Sequence, residues 1–321
     1  MVAAAGEGQQ SKPAGGRTGV AVREWLHALG RLCDERSSDG LWPDRLQDLE
    51  RSVVEASASA PDELLFLLIA AAARVPARYG VHHALACAPI VGLAAQVLGW
   101  PEDERQAVVR AALTMNLSIT ALQDELAHRE RTLTVEQRRA VEAHPTHSAE
   151  RLRALGVADP LWLETVELHH REPDGPLATL PPADRLAALL RRVDVFLAKI
   201  SPRAGRPGLP TTQAARDACL GADGRPDTLG AAILRTLGLY PPGSLVTLVN
   251  GDIAVVWQRG ARLDQPLVLG IAGADRHPWA RPLLRRTAVA AHAIKGPAGR
   301  VEARIPWDPH ALFDAARALN P

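Results

Sequence analysis

The chain has 321 residues, of which 47% are hydrophobic and 23% are charged, and its formal net charge is +1. This length permits one large domain or two smaller ones, with a substantial buried core. The near-neutral charge argues against a broad basic surface for nucleic acid or for an anionic membrane. The basic cluster from Arg281 to Arg286 is therefore interpreted as a solvated helix face.

Cysteine usage and hydropathy indicate the compartment. The three cysteines are widely spaced and no CxxC pair occurs, so a disulfide framework or a cysteine zinc site is not expected. The longest apolar stretch, Leu64 to Val75, is shorter than a membrane span, and no signal peptide is evident. We expect a cytoplasmic protein with reduced thiols and no membrane contact.

Helical periodicity dominates the first three quarters of the chain. Residues 1–18 are predicted to be a disordered tail because they are rich in Gly, Ala and Gln. Residues 19–60 form a predicted helical extension with a turn at Ser37 to Gly40. Residues 61–242 form a predicted helical domain. Its helices are expected to open at Pro61, His83, Asp103 and Thr134, the last ending near His144, with others at 147–155, 160–170 and 183–200.

The periodicity changes in residues 243–321. Ser244 to Val249 and Ile253 to Trp257 are β-branched and apolar, and the intervening Asn250-Gly251 pair is a strong signal for a two-residue hairpin. Pro266 to Ile271 is a candidate third strand. A final helix is predicted from the spacing of Trp307, Leu312, Phe313, Ala316 and Leu319. The fold is therefore predicted to be mainly α, with a small mixed β/α segment at the C-terminus.

Four histidines and one aspartate are candidates for a metal site. His83, His144, His169, His170 and Asp194 all lie within or at the ends of predicted helices. Imidazoles and a carboxylate on helices that pack together can build a metal site in a bundle core. Each residue alone is more often an ordinary core or surface residue, so the spacing by itself leaves both readings open.

The ordered motifs resemble the HD-GYP branch of the HD superfamily of metal-dependent phosphohydrolases. The resemblance covers roughly residues 61–260. It is carried by His83-Ala84-Leu85, Leu133-Thr134, His144-Pro145, His169-His170-Arg171-Glu172-Pro173-Asp174-Gly175, Val193-Asp194-Val195-Phe196, Ser201-Pro202-Arg203, Arg206-Pro207 and Leu237-Gly238-Leu239-Tyr240-Pro241. It implies an HD-type helical bundle, metal ligands at His83, His144, His169, His170 and Asp194, and an activity like that of cyclic di-GMP phosphodiesterases.

The chain departs from this family at the His-Asp pair itself. Met115 stands in place of the histidine, Asn116 in place of the aspartate, Ser118 in place of a glycine and Ile119 in place of a lysine. In the family the aspartate bridges two metals, whereas an amide is neutral and a thioether is too soft for iron, manganese or magnesium. The resemblance therefore implies at most one divalent metal (Zn or Fe/Mn), held by His144, His169 and His170.

Other candidate residues follow from the same comparison. Asp194 and Glu172 are candidate proton acceptors, and Arg203 and Arg206 are candidate phosphate ligands. The segment after Asp174-Gly175 lacks the family's Gly-Tyr-Pro signature and looks shortened. This shortening affects a region that, by resemblance, contributes to substrate recognition and to docking of diguanylate cyclase partners.

Three functions remain open from the sequence. The first is a catalytically impaired regulatory or binding module in cyclic di-GMP signalling, with cyclic di-GMP or another nucleotide as ligand and diguanylate cyclase-type proteins as partners. The second is an active phosphohydrolase that uses a single metal. The third is a plain interaction scaffold. A homodimer is compatible with each of them.

Overall fold

The computed structural model describes residues 14–35, 39–74, 77–130, 132–220, 224–299 and 302–319. In these ranges the chain forms eleven helices, a five-stranded sheet and a last helix. The helices are α1 (Ala14–Asp34), α2 (Trp42–Ser59), α3 (Pro61–Ala72), α4 (Tyr79–Val97), α5 (Glu102–Thr114), α6 (Thr120–His128), α7 (Val135–Ala154), α8 (Pro160–Leu168), α9 (Pro182–Ile200), α10 (Thr211–Cys219), α11 (Thr228–Leu237) and α12 (Pro309–Leu319). The strands are β1 (Leu245–Leu248), β2 (Ile253–Gln258), β3 (Leu267–Ala272), β4 (Pro278–Arg286) and β5 (Ile294–Pro297).

The mainly α fold predicted from periodicity is confirmed. Residues 1–13 of the predicted tail lie outside the described residues, and α1 begins at Ala14 rather than at residue 19. Ser37 and Ser38 of the predicted turn also lie outside the described residues. Helices α3, α5, α8 and α9 begin within two residues of the expected positions, whereas α6, α10 and α11 were not predicted.

Helix α4 is the centre of the bundle. Its length and composition would suffice to cross a membrane, contrary to the expectation that no apolar run does so. However, 72% of the relevant window is buried inside the protein, which is the pattern of a core helix. Helix α4 packs against α3, α5, α9 and α11, and it therefore brings His83 beside α9, the helix that carries Asp194.

Helix α7 differs from the prediction in a way that matters for the site. Two helices separated near His144 were expected, but one helix runs from Val135 to Ala154 with Pro145 inside it. A capping box at Thr134 and Gln137 opens this helix. Proline normally ends a helix because it lacks an N–H and crowds the carbonyl four residues earlier. Here burial of Pro145 and the packing of α7 against α8 retain the continuous helix.

The C-terminal sheet is a meander whose last strand returns to the first, with strand order β4-β3-β2-β1-β5. The predicted hairpin is confirmed, since β1 and β2 pair in antiparallel fashion around Gly251, whose φ is 89°. The candidate third strand is β3, and the predicted C-terminal helix is α12. One face of the sheet joins the main core through contacts of Trp257 with Phe66 and Phe313.

The interpretation of residues 281–286 as a helix face is wrong. These residues belong to the edge strand β4, which pairs with β3. Pro278 and Pro282 disfavour a helix at this point, whereas an edge strand accommodates proline because part of its backbone has no ladder partner. The adjacent Arg285 and Arg286 therefore point to opposite faces of the sheet instead of sharing a helix face.

Candidate metal centre

Three imidazoles converge where α7 meets the end of α8. Ligand atoms of His144, His169 and His170, hereafter the imidazole cluster, lie within 4.8 Å of one another. His144 and His169 are buried, while His170 is exposed. The sequence comparison therefore correctly grouped these three residues, and the exposed member leaves access from solvent.

Pro145 fixes the orientation of His144. In a regular helix the carbonyl of Val141 would accept the N–H of residue 145, but proline has none. The vacated carbonyl instead lies 2.6 Å from Nδ1 of His144. Nδ1 therefore carries the proton and donates to this carbonyl, and the lone pair of Nε2 points into the cluster.

The end of α8 orients His169 in the same way. Val166 is in the last turn of α8, where carbonyls have no partner within the helix. Its carbonyl lies 2.6 Å from Nδ1 of His169. Here too Nδ1 donates, and Nε2 is left as an acceptor facing the cluster.

The two inward-facing nitrogens are placed so that they could share one cation. Nε2 of His144 and Nε2 of His169 are 3.2 Å apart, and both are acceptors in the tautomer that the carbonyls impose. Two acceptor lone pairs at this distance repel each other unless a metal ion or a shared proton lies between them. With Zn–N bonds of about 2.05 Å, the separation corresponds to an N–Zn–N angle of about 103°, close to tetrahedral. The cluster therefore fits one divalent metal of this type.

Burial keeps the two inner imidazoles neutral. It lowers the pKa of His144 to about 4. It lowers the pKa of His169 to about 3, and the neighbouring His170 acts in the same direction. Neutral imidazole is the form that binds metal, so these two ligands are ready to bind at neutral pH.

His83 and Asp194 form a separate pair beside the cluster. Nε2 of His83 lies 2.7 Å from Oδ1 of Asp194. Burial opposes ionisation of this carboxyl group, but the bond to His83 and the nearby imidazoles hold the pKa of Asp194 well below its usual range. The nitrogen that would bind a second metal is thus already engaged by the carboxylate. Oδ2 of Asp194 makes no hydrogen bond among the described residues.

Two further side chains at His83 were not identified from the sequence. The ring of Tyr79 stacks on His83 with centroids 5.7 Å apart, and Sγ of Cys87 lies 3.7 Å from Nε2 of His83. Both residues are four positions from His83 and thus on its helix face. Their spacing of four residues from His83 is the sequence signal that could have identified them.

Met115, Asn116 and Ile119, which the sequence predicts to be degenerate positions, are part of the core. Met115 is fully buried, and Asn116 and Ile119 are 4% and 6% exposed. Nδ2 of Asn116 is buried and has no acceptor within hydrogen-bond reach among the described residues. An unpaired buried amide donor is unfavourable next to a second cation, because the partial positive charge of its N–H groups would face the positive charge of the ion.

The remaining candidates divide into one that adjoins His83 and two that face elsewhere. Nη2 of Arg203 donates to the hydroxyl of Tyr79 at 3.1 Å, and the buried Nε of Arg203 has no acceptor in the part of the chain that the structure describes. Arg206 instead donates to the carbonyls of Ala198 and Ser201 at the end of α9. The side chain of Glu172 is 74% exposed and pairs with Arg191. Arg203 is thus the candidate nearest the site.

Comparison with known proteins gives one curated match, and no protein-family model matches the chain. The curated relative, named as a cyclic di-GMP phosphodiesterase of Pseudomonas aeruginosa, is 25% identical over 260 residues. The match covers 76% of this chain but only 62% of the relative, so the chain spans less than two thirds of that protein. A solved structure described as an HDGYP protein from Bdellovibrio bacteriovorus aligns with 12% identity and a TM-score of 0.49, over 72% of this chain and 74% of the other. The curated match agrees with the ordered motifs, and the chain is HD-GYP-like.

Proposed function

We propose that the chain is a regulatory or binding module of cyclic di-GMP signalling that holds one divalent metal and is impaired in two-metal phosphodiester hydrolysis. The observation that carries this proposal is the burial of the pair Met115-Asn116, which the family resemblance aligns with the His-Asp pair. A two-metal clamp stabilises both the attacking and the leaving oxygen of an in-line displacement. Without an anionic bridge, no negatively charged ligand is shared between the two cations.

The imidazole cluster supports one metal. His144 and His169 present unprotonated Nε2 atoms toward a common point, and exposed His170 completes a three-nitrogen set. Three neutral nitrogen ligands leave a position for water or a ligand oxygen on Zn²⁺ or Fe²⁺.

Cyclic di-GMP is the proposed ligand. The curated relative is named for it, and the unpaired Nε of Arg203 is a donor suited to a phosphate oxygen. By the resemblance, Ile119 replaces a lysine of the family, so this chain lacks a second cationic side chain that could bind a phosphate. Diguanylate cyclase-type proteins are proposed as partners from the family resemblance. The cytoplasm is the proposed compartment, which agrees with three buried free thiols.

Binding and hydrolysis separate the proposal from its rivals. Calorimetric titration of the metal-loaded protein with cyclic di-GMP is expected to show binding, while chromatography of the mixture shows no linearised product. The double variant Met115→His/Asn116→Asp tests the cause: it should take up a second metal and gain hydrolysis. Turnover by the unaltered chain would refute the impairment, and absence of binding would leave the interaction-scaffold reading.

A single-metal phosphohydrolase is the second candidate, favoured by the position of Asp194. A bound metal would supply Lewis acidity and lower the pKa of a water molecule. Asp194 is ionised, is oriented by His83 through Oδ1, and retains Oδ2 to accept a proton. On this reading Asp194→Asn abolishes hydrolysis of bis(p-nitrophenyl) phosphate, whereas Glu172→Gln does not, because Glu172 faces Arg191.

A further inference from the structure

The turn from Met115 to Ile119 is held in place without metal ligands. In the family this segment carries the bridging aspartate, so bound metal ties it to the histidine helices. Met115 and Asn116 provide no such tie. Nevertheless the turn is docked closely against α7, the helix that carries His144, through side chains of both elements.

Two serines make this connection. The backbone N–H of Ser118 donates to Oγ of Ser148 at 3.1 Å, and the two hydroxyl oxygens are 3.0 Å apart. Oγ of Ser118 also donates to the backbone carbonyl of His144 at 3.2 Å. The hydroxyl of Ser148 then donates to Ser118, so every donor in the set has one acceptor. Ser148 is fully buried, which raises the cost of breaking this arrangement.

The location of the contact is significant. Pro145 removes the helical hydrogen bond to Val141, so α7 is least constrained at the residue that precedes it, His144. The hydroxyl of Ser118 donates a hydrogen bond to the backbone carbonyl of that same residue. The contact therefore restrains the backbone on one side of His144 while Val141 restrains its ring.

We infer that Ser118 and Ser148 are positioning residues that preorganise His144 for metal in place of the lost metal bridge. This inference rests on the proposed single-metal site. Ser118 stands where the family has glycine, so the hydroxyl contact to His144 is a property of this chain. Neither serine is proposed to touch the metal.

The test is Co²⁺ binding to the full chain with Ser118→Ala, Ser148→Ala and the double variant. Loss of an outer contact of a metal ligand typically lowers metal affinity 10- to 100-fold. We expect about a tenfold loss for each single variant, a changed visible absorption spectrum of bound Co²⁺, and a double variant little worse than either single one, because the serines act as one unit. Ser148→Thr keeps the hydroxyl group and should restore affinity and spectrum.

Controls separate positioning from general destabilisation. Ser57→Ala removes another buried hydroxyl group that bonds only the carbonyl of Val53 in its own helix, and it should leave the Co²⁺ spectrum unchanged. If Ser118→Ala does not fold, Ser118→Gly removes the hydroxyl while restoring the residue of the family. Serine variants with the affinity and spectrum of the unaltered protein would overturn the positioning role alone. Absence of Co²⁺ binding by the unaltered protein would overturn the single-metal site and this inference with it.

Discussion

Replacing Pro145 with alanine is expected to stabilise the fold and weaken metal binding at the same time. The new N–H of residue 145 would donate to the carbonyl of Val141, which now accepts from Nδ1 of His144. The imidazole would then share or lose the acceptor that fixes its tautomer and ring orientation. Opposite signs for stability and affinity would be a distinctive result, because most substitutions near a site lower both.

The expected magnitudes follow from the helix and from burial. Removing an interior proline from a helix gains about 3 kcal/mol. Loss of two buried CH₂ groups costs roughly 1.6 kcal/mol, and the freer unfolded chain costs up to about 1 kcal/mol more. The net gain is about 0.4 to 1.4 kcal/mol, or a rise in Tm of roughly 0.6–2 °C at about 2.1 cal/mol/K per residue. Metal affinity should fall about tenfold, which is the lower end of the range for loss of an outer contact of a metal ligand. The loss is at the lower end because the carbonyl of Val141 can accept two hydrogen bonds and could keep part of its bond to His144.

The assay is thermal unfolding of the metal-free protein together with competition for Zn²⁺ against a chromophoric chelator. Pro89→Ala is the matched control, because Pro89 is also buried inside a helix and no histidine uses the carbonyl that it vacates among the described residues. That variant should gain stability and keep its Zn²⁺ affinity. Unchanged affinity in Pro145→Ala despite a higher Tm would refute the role assigned to Val141.

Three other outcomes are expected. His169→Ala should reduce bound metal, measured by elemental analysis, from about one equivalent to background, because a buried ligand of the cluster is lost; retention of one equivalent would contradict the site. Arg203→Ala should weaken cyclic di-GMP binding by calorimetry, whereas Arg206→Ala should not, because Arg206 is engaged by backbone carbonyls. Burial lowers the pKa of His82 to about 4, so its neutral form stabilises the fold above pH 6.5 and this contribution is lost as the pH falls toward 4. Urea titrations at pH 7 and pH 5 should show a smaller acid effect in His82→Asn, and an equal effect in both proteins would count against it.

The sequence was informative where a signal is local. Periodicity and capping predicted most of the bundle, and Asn250-Gly251 predicted the hairpin, because these patterns depend on neighbouring residues. The prediction failed for β4, where clustered arginines resemble a helix face, and at Pro145, where burial overrides the tendency of proline to end a helix. The error at Pro145 arises because tertiary packing outweighs local preference. In β4 the local preference itself disfavours a helix, because Pro278 and Pro282 lie in the segment.

The site shows the same division between residue identity and arrangement. The ordered motifs identified the three histidines of the cluster, and the structure brings them together. The motifs also located the loss of the His-Asp pair, but they described it only as a deficit. The contact that we propose to compensate joins Ser118 to Ser148, thirty residues apart in the chain, and serine is too common for its presence to predict a partner.

The orientation of the imidazoles is a further property that depends on three-dimensional context. Whether His144 offers Nε2 or Nδ1 is decided by which carbonyl lacks a partner, and that carbonyl is free only because Pro145 lies inside a continuous helix. A His-Pro pair at a helix end, as the sequence predicted, would leave this nitrogen unassigned. Because the helix continues, the same proline that weakens α7 also fixes its metal ligand. The hydroxyl of Ser118 bonds the backbone carbonyl of His144 at this point of the helix, so the predicted loss of the metal bridge and the proposed role of the serine contact concern the same stretch of backbone.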